Sequence, residues 1–294
     1  MTFQGASVFP LAWVQALGCL VMGLAFGLRE PITKFYPPLY TAITTGFCGS
    51  LTTFSSWNLS VFLAFSNPQE FHRGRLYDII DGIAQICATL AVSIGSLALG
   101  IHLASNIDRR VSLKSPPPYP YLRHSVAYLS FLSYGLVIIL YFVLPHGFRP
   151  DAMAALLFCY PGALSRHILG TLFNPFLANF PLGTFGANIS ATILQGVFRT
   201  LQRNPSLVNS ISTCVLLQGL EDGYCCTFAV EIRTLRHRAG LYIFASVLAA
   251  QLALVLTVGI PWWTGSVNEN IMCHLRSGCR DGSNGVGRRA LHDL

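Results

Sequence analysis

Between Thr44 and Asn58 the chain reads TTGFCGSLTTFSSWN, with four threonines, three serines, two phenylalanines, a tryptophan and no charged residue. A hydroxyl donates as well as accepts hydrogen bonds, and an aromatic ring is positive at its edge. Such a set can hold an ion through many weak partners and no formal charge. It is a poor set for acid–base chemistry, and no His-x-Glu, Asp-Asp or HExxH grouping occurs elsewhere in the chain. That pattern argues against an enzyme. The aspartates Asp78 and Asp81 fall at the start of an apolar run rather than midway along it, which argues against proton-coupled transport.

The elements that must position this stretch are membrane spans. Of 294 residues 52% are apolar and 11% charged, and mean hydropathy is +0.53, whereas soluble domains carry about 25% charged residues. Eight apolar runs are long enough to be read as spans, at about 7–28, 38–65, 76–105, 123–145, 152–173, 180–200, 206–232 and 240–263. The expected fold is therefore an all-α polytopic membrane protein in contact with the lipid bilayer on most sides. The net charge of +7 lies in the joints and the tail, with Arg109, Arg110, Lys114 and Arg123 the densest group. Basic residues there set topology and give no reason to expect nucleic acid as a partner. Threaded alternately, the spans put the basic-rich joints in the cytoplasm and both ends of the chain outside.

Six of these runs form three matched pairs. VQALGCLVMGL at 14–24 aligns with ANISATILQGV at 187–197, pairing Gln15 with Asn188, Gly18 with Ala191, Cys19 with Thr192 and Gly23 with Gly196. GFC at 46–48 returns as GYC at 223–225, and the following aromatic-ended triplets are SSW at 55–57 and CTF at 226–228. The fourth members of each set both open on Leu-Tyr, at Leu76-Tyr77 and Leu241-Tyr242. One unmatched run, 123–145, separates the two sets, so the second unit is expected upside down relative to the first. Inverted repeats place a substrate site near the midplane, on broken helices at the repeat interface. The resulting division is a first unit at 1–106, a linker with an inverting helix at 107–149, a second unit at 150–264 and a disordered tail at 265–294.

GFCGSLTTFSSW at 46–57, VQALGCLVMG at 14–23, GALSRHILG at 162–170 and FPLGTFGANISATILQG at 180–196 together resemble the CrcB/Fluc fluoride channels, in the single-chain two-unit form of the fungal fluoride exporters. The resemblance implies passive fluoride export across the plasma membrane by a monomeric chain that is its own pseudo-dimer, with no organic cofactor. It implies a structural sodium ion on the backbone carbonyls of Gly49 and Thr52. It also implies a fluoride pore edged by Phe54, Ser55 and Trp57 in the first unit and Phe228 in the second, with amides at Gln15 and Asn188. Hydroxyl tracks on the fourth helices would be Thr89 with Ser93 and Tyr242 with Ser246, each pair spaced i, i+4. Arg166 matches a family arginine that pairs structurally, and Glu231 a family glutamate. An unpaired ion in hydrocarbon costs tens of kcal/mol by Born arguments, so fluoride needs close donors. A ring of weak donors lets the ion leave again.

Two departures from that pattern stand out. The first unit begins at its second helix, so eight runs stand where nine are expected. Aligning CTF with SSW leaves the second unit six residues short, with no counterpart of GSLTTF. Both features predict poor fluoride conduction unless the missing parts are restored, and they admit an alternative, a degenerate or truncated membrane paralogue with a scaffold or regulatory role. Of nine cysteines, seven lie within or at the ends of apolar runs and read as small buried hydrophobes, while Cys273 and Cys279 in the tail could pair.

Overall fold

A computed structural model describes residues 10–67, 75–108, 119–144, 154–177, 180–204, 211–228 and 239–267. Within them the chain is helical, and every expected apolar run contains helix. Helix α1 (Pro10–Gly27) bends by 74° into the charged α2 (Arg29–Phe35). Tyr36 is extended, and Pro37 and Pro38 open α3 (Pro37–Thr41). The chain widens into a π-helix over Ala42–Cys48, tightens into α4 (Gly49–Leu51), breaks at Thr52 and Thr53, and resumes as α5 (Phe54–Ser66). Asn67, in the left-handed region at φ 45°, ends it.

The long α6 (Arg75–Asp108), α7 (Tyr119–Val143), α8 (Ala154–Phe173) and α9 (Leu182–Gln202) follow. Then α10 (Ile211–Gly219) passes through a π-helix at Leu220–Cys225 into α11 (Cys226–Phe228). The chain continues through α12 (Ala239–Leu254), a third π-helix at Val255–Gly259 and α13 (Ile260–Trp263). Among the described residues, Arg75–Ile107, Tyr121–Val143 and Gly240–Trp263 are each long and apolar enough to cross a membrane alone, and the bent pair α1–α2 passes as one. The expected run 38–65 is two half-helices, because Thr52 and Thr53 leave the helical region.

Small residues let the helices close on one another. A β-carbon at Gly23 would overlap the Leu97 carbonyl, so α1 lies directly on α6, and one at Gly196 would overlap the Thr257 hydroxyl, seating α9 on the end of α12. These are the glycines that the repeat pairs. The third helices match as closely: each holds a π-helix that ends on a fully buried cysteine, Cys48 or Cys225. Ser50 Oγ bonds the Gly46 carbonyl at 2.8 Å, and Thr227 Oγ1 bonds that of Gly223 at 2.7 Å.

Continued without interruption from Cys225, this correspondence sets Cys226–Phe228 beside Gly49–Leu51. The second unit's shortfall against the first then falls after Phe228, between the third helix and the Leu-Tyr pair. The counterparts of Thr52 and Thr53 are then Ala229 and Val230, which with Glu231 lie outside the described residues. The Leu-Tyr pairs also part company, since Tyr77 is 60% exposed and Tyr242 only 4%.

Helix α7 exposes most of its apolar side chains and packs chiefly on α8, where Tyr134 donates to the Leu157 carbonyl at 3.2 Å. Among the cysteines, Cys19, Cys48 and Cys225 are buried as expected, Cys87 is exposed and Cys214 is disulfide-bonded. Cys273 and Cys279 lie outside the described residues.

Candidate functional site

The break in the third helix is clamped from two sides. The last helical bond of its first half runs from Thr52 N–H to the Cys48 carbonyl, which also accepts from Thr52 Oγ1, each at 2.9 Å. Thr53 is extended (φ −79°, ψ 118°), so the carbonyls from Gly49 onward form the open, electronegative end of a half-helix. Oxygen donors of that kind suit a hard monovalent cation. From α1, Gln15 is 4% exposed and its Nε2 donates to the Thr53 carbonyl at 3.3 Å. Gly18 makes this approach possible, since a β-carbon there would come within 2.7 Å of the Thr52 methyl. From α8, the buried Arg166 donates through Nη2 to the Thr45 carbonyl at 2.6 Å and lies against Gly49. Arg166 is thus a structural pairing across the two repeats, as expected from its match.

The start of α5 meets the second repeat directly. Ser55 is fully buried, and its hydroxyl donates to the Cys225 carbonyl at 3.4 Å. Gln195 Nε2 donates to Ser56 Oγ at 3.0 Å, and Cys226 Sγ lies 3.3 Å from the same oxygen. Phe54 and Trp57 stand edge to face, 6.3 Å apart at 63°, and pack with Val61 on Ala187 and Ala191 of α9 and Ala250 of α12. Gln251 holds Asn58 through its carbonyl and its side-chain oxygen, at 3.0 and 3.2 Å.

These contacts bring the first repeat's ring pair to the two helices that carry Asn188, Tyr242 and Ser246. Asn188 and Ser246 are fully buried. The Tyr242 ring is wedged between Phe180 and Phe185, with centroids 5.1 and 6.4 Å away. Thr89 and Ser93 are buried on α6, which packs against α1 and α5. The side chain of Phe228 lies outside the described residues.

Burial without partners is the chemical signature of the region. Trp57 Nε1, Ser93 Oγ, Tyr242 OH and Ser246 Oγ are all shielded from solvent; the Tyr242 and Ser246 hydroxyls lie within reach of each other, and beyond that none of the four has a hydrogen-bond partner among the described residues. Buried polar atoms normally find partners, and each exception calls for a reason. All four atoms can donate, and all four belong to residues already singled out in the sequence.

Sequence reading missed a second polar group. Gln195, Gln202, Arg203 and Glu221 are buried, and Gln202 Nε2 donates to Glu221 Oε2 at 2.9 Å. A signal was present: Asn188, Thr192, Gln195, Arg199 and Gln202 recur at intervals of three and four, one face of a helix. In water that face would turn outward, and here it turns in.

Fold and site define a helical membrane protein organised around a broken helix, with buried uncharged donors beside the break. The family described as CrcB-like protein, Camphor Resistance (CrcB), matches residues 2–111. Fluoride export protein 1 of Candida albicans is 30% identical over 290 residues, covering 90% of this chain and 74% of that protein. Fluoride export protein 1 of Saccharomyces cerevisiae is 26% identical over 321 residues, 88% and 86% of the two chains. The namesake from Neurospora crassa is 28% identical over 330 residues, and there the match takes in 90% of this chain and 62% of the other. The chain belongs to the CrcB family, in its fungal fluoride-export branch. No solved structure matches it.

Proposed function

We propose that the protein is a passive fluoride channel of the plasma membrane that lowers cytoplasmic fluoride, with its ion path beside the interface of two inverted units. The observation that carries this reading is the set of buried donors at Trp57, Ser93, Tyr242 and Ser246, which find no acceptor among the described residues outside the set itself, in a chain whose relatives are named for fluoride export. Fluoride accepts hydrogen bonds strongly and holds its water tightly, so a path must return what dehydration removes. Hydroxyls, an indole N–H and ring edges do so without a lysine that would hold the ion too firmly.

In this reading Phe54, Ser55 and Trp57 from the first repeat would line one pore with Asn188, Tyr242 and Ser246 from the second, supported by the packing of the Phe54–Trp57 pair on the two helices that carry them, while Gln15 braces the break. Thr89 and Ser93 would line the other pore. The carbonyls of Gly49 and Thr52 would hold a sodium ion, which would supply fixed positive charge between the units. A solely structural scaffold would have no use for buried donors without acceptors. Expression in a fungal strain deleted for its fluoride exporters tests the reading: growth in fluoride should return with this chain and fail with Tyr242→Phe/Ser246→Ala.

A further inference from the structure

Glu221 is 9% exposed in the π-helix Leu220–Cys225, and its surroundings are those a free anion would require. Gln202 Nε2 donates to its carboxylate at 2.9 Å, and the positive charges of Arg199 and Arg203 offset part of the larger cost of burying it. Gln195, Gln202 and Arg203 are each no more than 7% exposed, so the low local dielectric strengthens these attractions. Gln195, Arg199 and Gln202 share the face of α9 that carries Asn188 and Thr192 further back, and Arg203 follows directly after the helix. Gln195 links the cluster to Ser56, one residue from the partnerless indole of Trp57. The neighbouring Asp222 is exposed and engaged by Gln218 instead.

We propose that this cluster is a small-anion site whose resident occupant is the tethered carboxylate of Glu221, and that a free monovalent anion takes the carboxylate's place before moving along α9. The proposal rests on the fluoride reading above and adds to it a site, a competitor and an order of events. A tethered carboxylate competes at high effective concentration. The apparent affinity for the free ion falls by the fraction of time the site stands open.

The test is the initial rate of fluoride efflux from liposomes as a function of internal fluoride, for the full chain and for Glu221→Gln. Neutralising the carboxylate should lower the half-saturating fluoride concentration by about tenfold, as for a site occupied roughly nine-tenths of the time. Adding Arg203→Gln to that variant should raise it again. Should Glu221→Gln fail to fold, Glu221→Asp decides the question, because its shorter arm keeps the charge but loses the Gln202 contact, and half-saturation should still fall. An unchanged half-saturation in a folded variant overturns the proposal. If the unmodified chain moves no fluoride, the fluoride reading falls by itself. The site is then judged by whether sodium fluoride raises the unfolding temperature of Glu221→Gln above that of the parent, and no difference overturns it.

Discussion

Arg166 on α8 reaches into the first repeat, donating to the Thr45 carbonyl at 2.6 Å while its guanidinium rests on Gly49. A charged hydrogen bond of this kind contributes about 1.5–3 kcal/mol, and cutting it leaves a carbonyl in a site built for a cation. Arg166→Ala should therefore lower unfolding stability in detergent by roughly 2 kcal/mol or more. Arg166→Lys should recover only part of that loss, since a lysine cannot both reach Thr45 and cover Gly49 with a planar head.

Tyr242 and Ser246 separate a transport role from a structural one. Because the two hydroxyls lie within reach of each other and of no other described partner, Tyr242→Phe and Ser246→Ala each exchange one poorly satisfied buried hydroxyl for an apolar group and should change stability by no more than about 1 kcal/mol. Fluoride efflux should nevertheless fall by roughly tenfold for each, the equivalent of about 1.4 kcal/mol of lost ion contact. Stability loss with normal efflux would assign both side chains to packing alone.

Gly23 and Gly196 test the repeat itself. A side chain at either would strike the facing helix, at Leu97 or at Thr257. Overpacking a closed seam costs about 1–3 kcal/mol, so Gly23→Val and Gly196→Val should each lower the unfolding midpoint by similar amounts. Gly95, which has open space around its α-carbon, should accept alanine with little effect.

Sodium should stabilise the fold if carbonyls at the break hold it. With ionic strength held constant by choline, a sodium concentration ten times the dissociation constant should add about 1.4 kcal/mol. A midpoint indifferent to sodium would remove the ion from the account.

Much of this was legible in the sequence, and the part that was not has physical reasons. Hydropathy located every helical run, and GFCGSLTTFSSW named the break, because helix formers do not end in two threonines at membrane depth without cause. Residue type alone was a weak guide to the register of the second repeat. Matching Phe228 to Trp57 by residue type and continuing the register from the π-helices ending at Cys48 and Cys225, with the Ser50 and Thr227 back-bonds, put the missing residues on opposite sides of Phe228. Gln15 was expected to face the ion, and its amide is on the Thr53 carbonyl, a contact between residues 38 apart that no local pattern announces. Glu221 escaped notice because nothing in the Glu221-Asp222 pair announces Gln202, 19 residues away, as the group folded against it.

The most direct measurement is fluoride efflux from liposomes containing only this purified chain, followed with a fluoride electrode after a potassium ionophore shunts the charge. The account predicts rapid fluoride release, chloride release near that of empty liposomes, and a fall of roughly tenfold or more with Tyr242→Phe/Ser246→Ala. Folded protein that releases fluoride no faster than empty liposomes would contradict it.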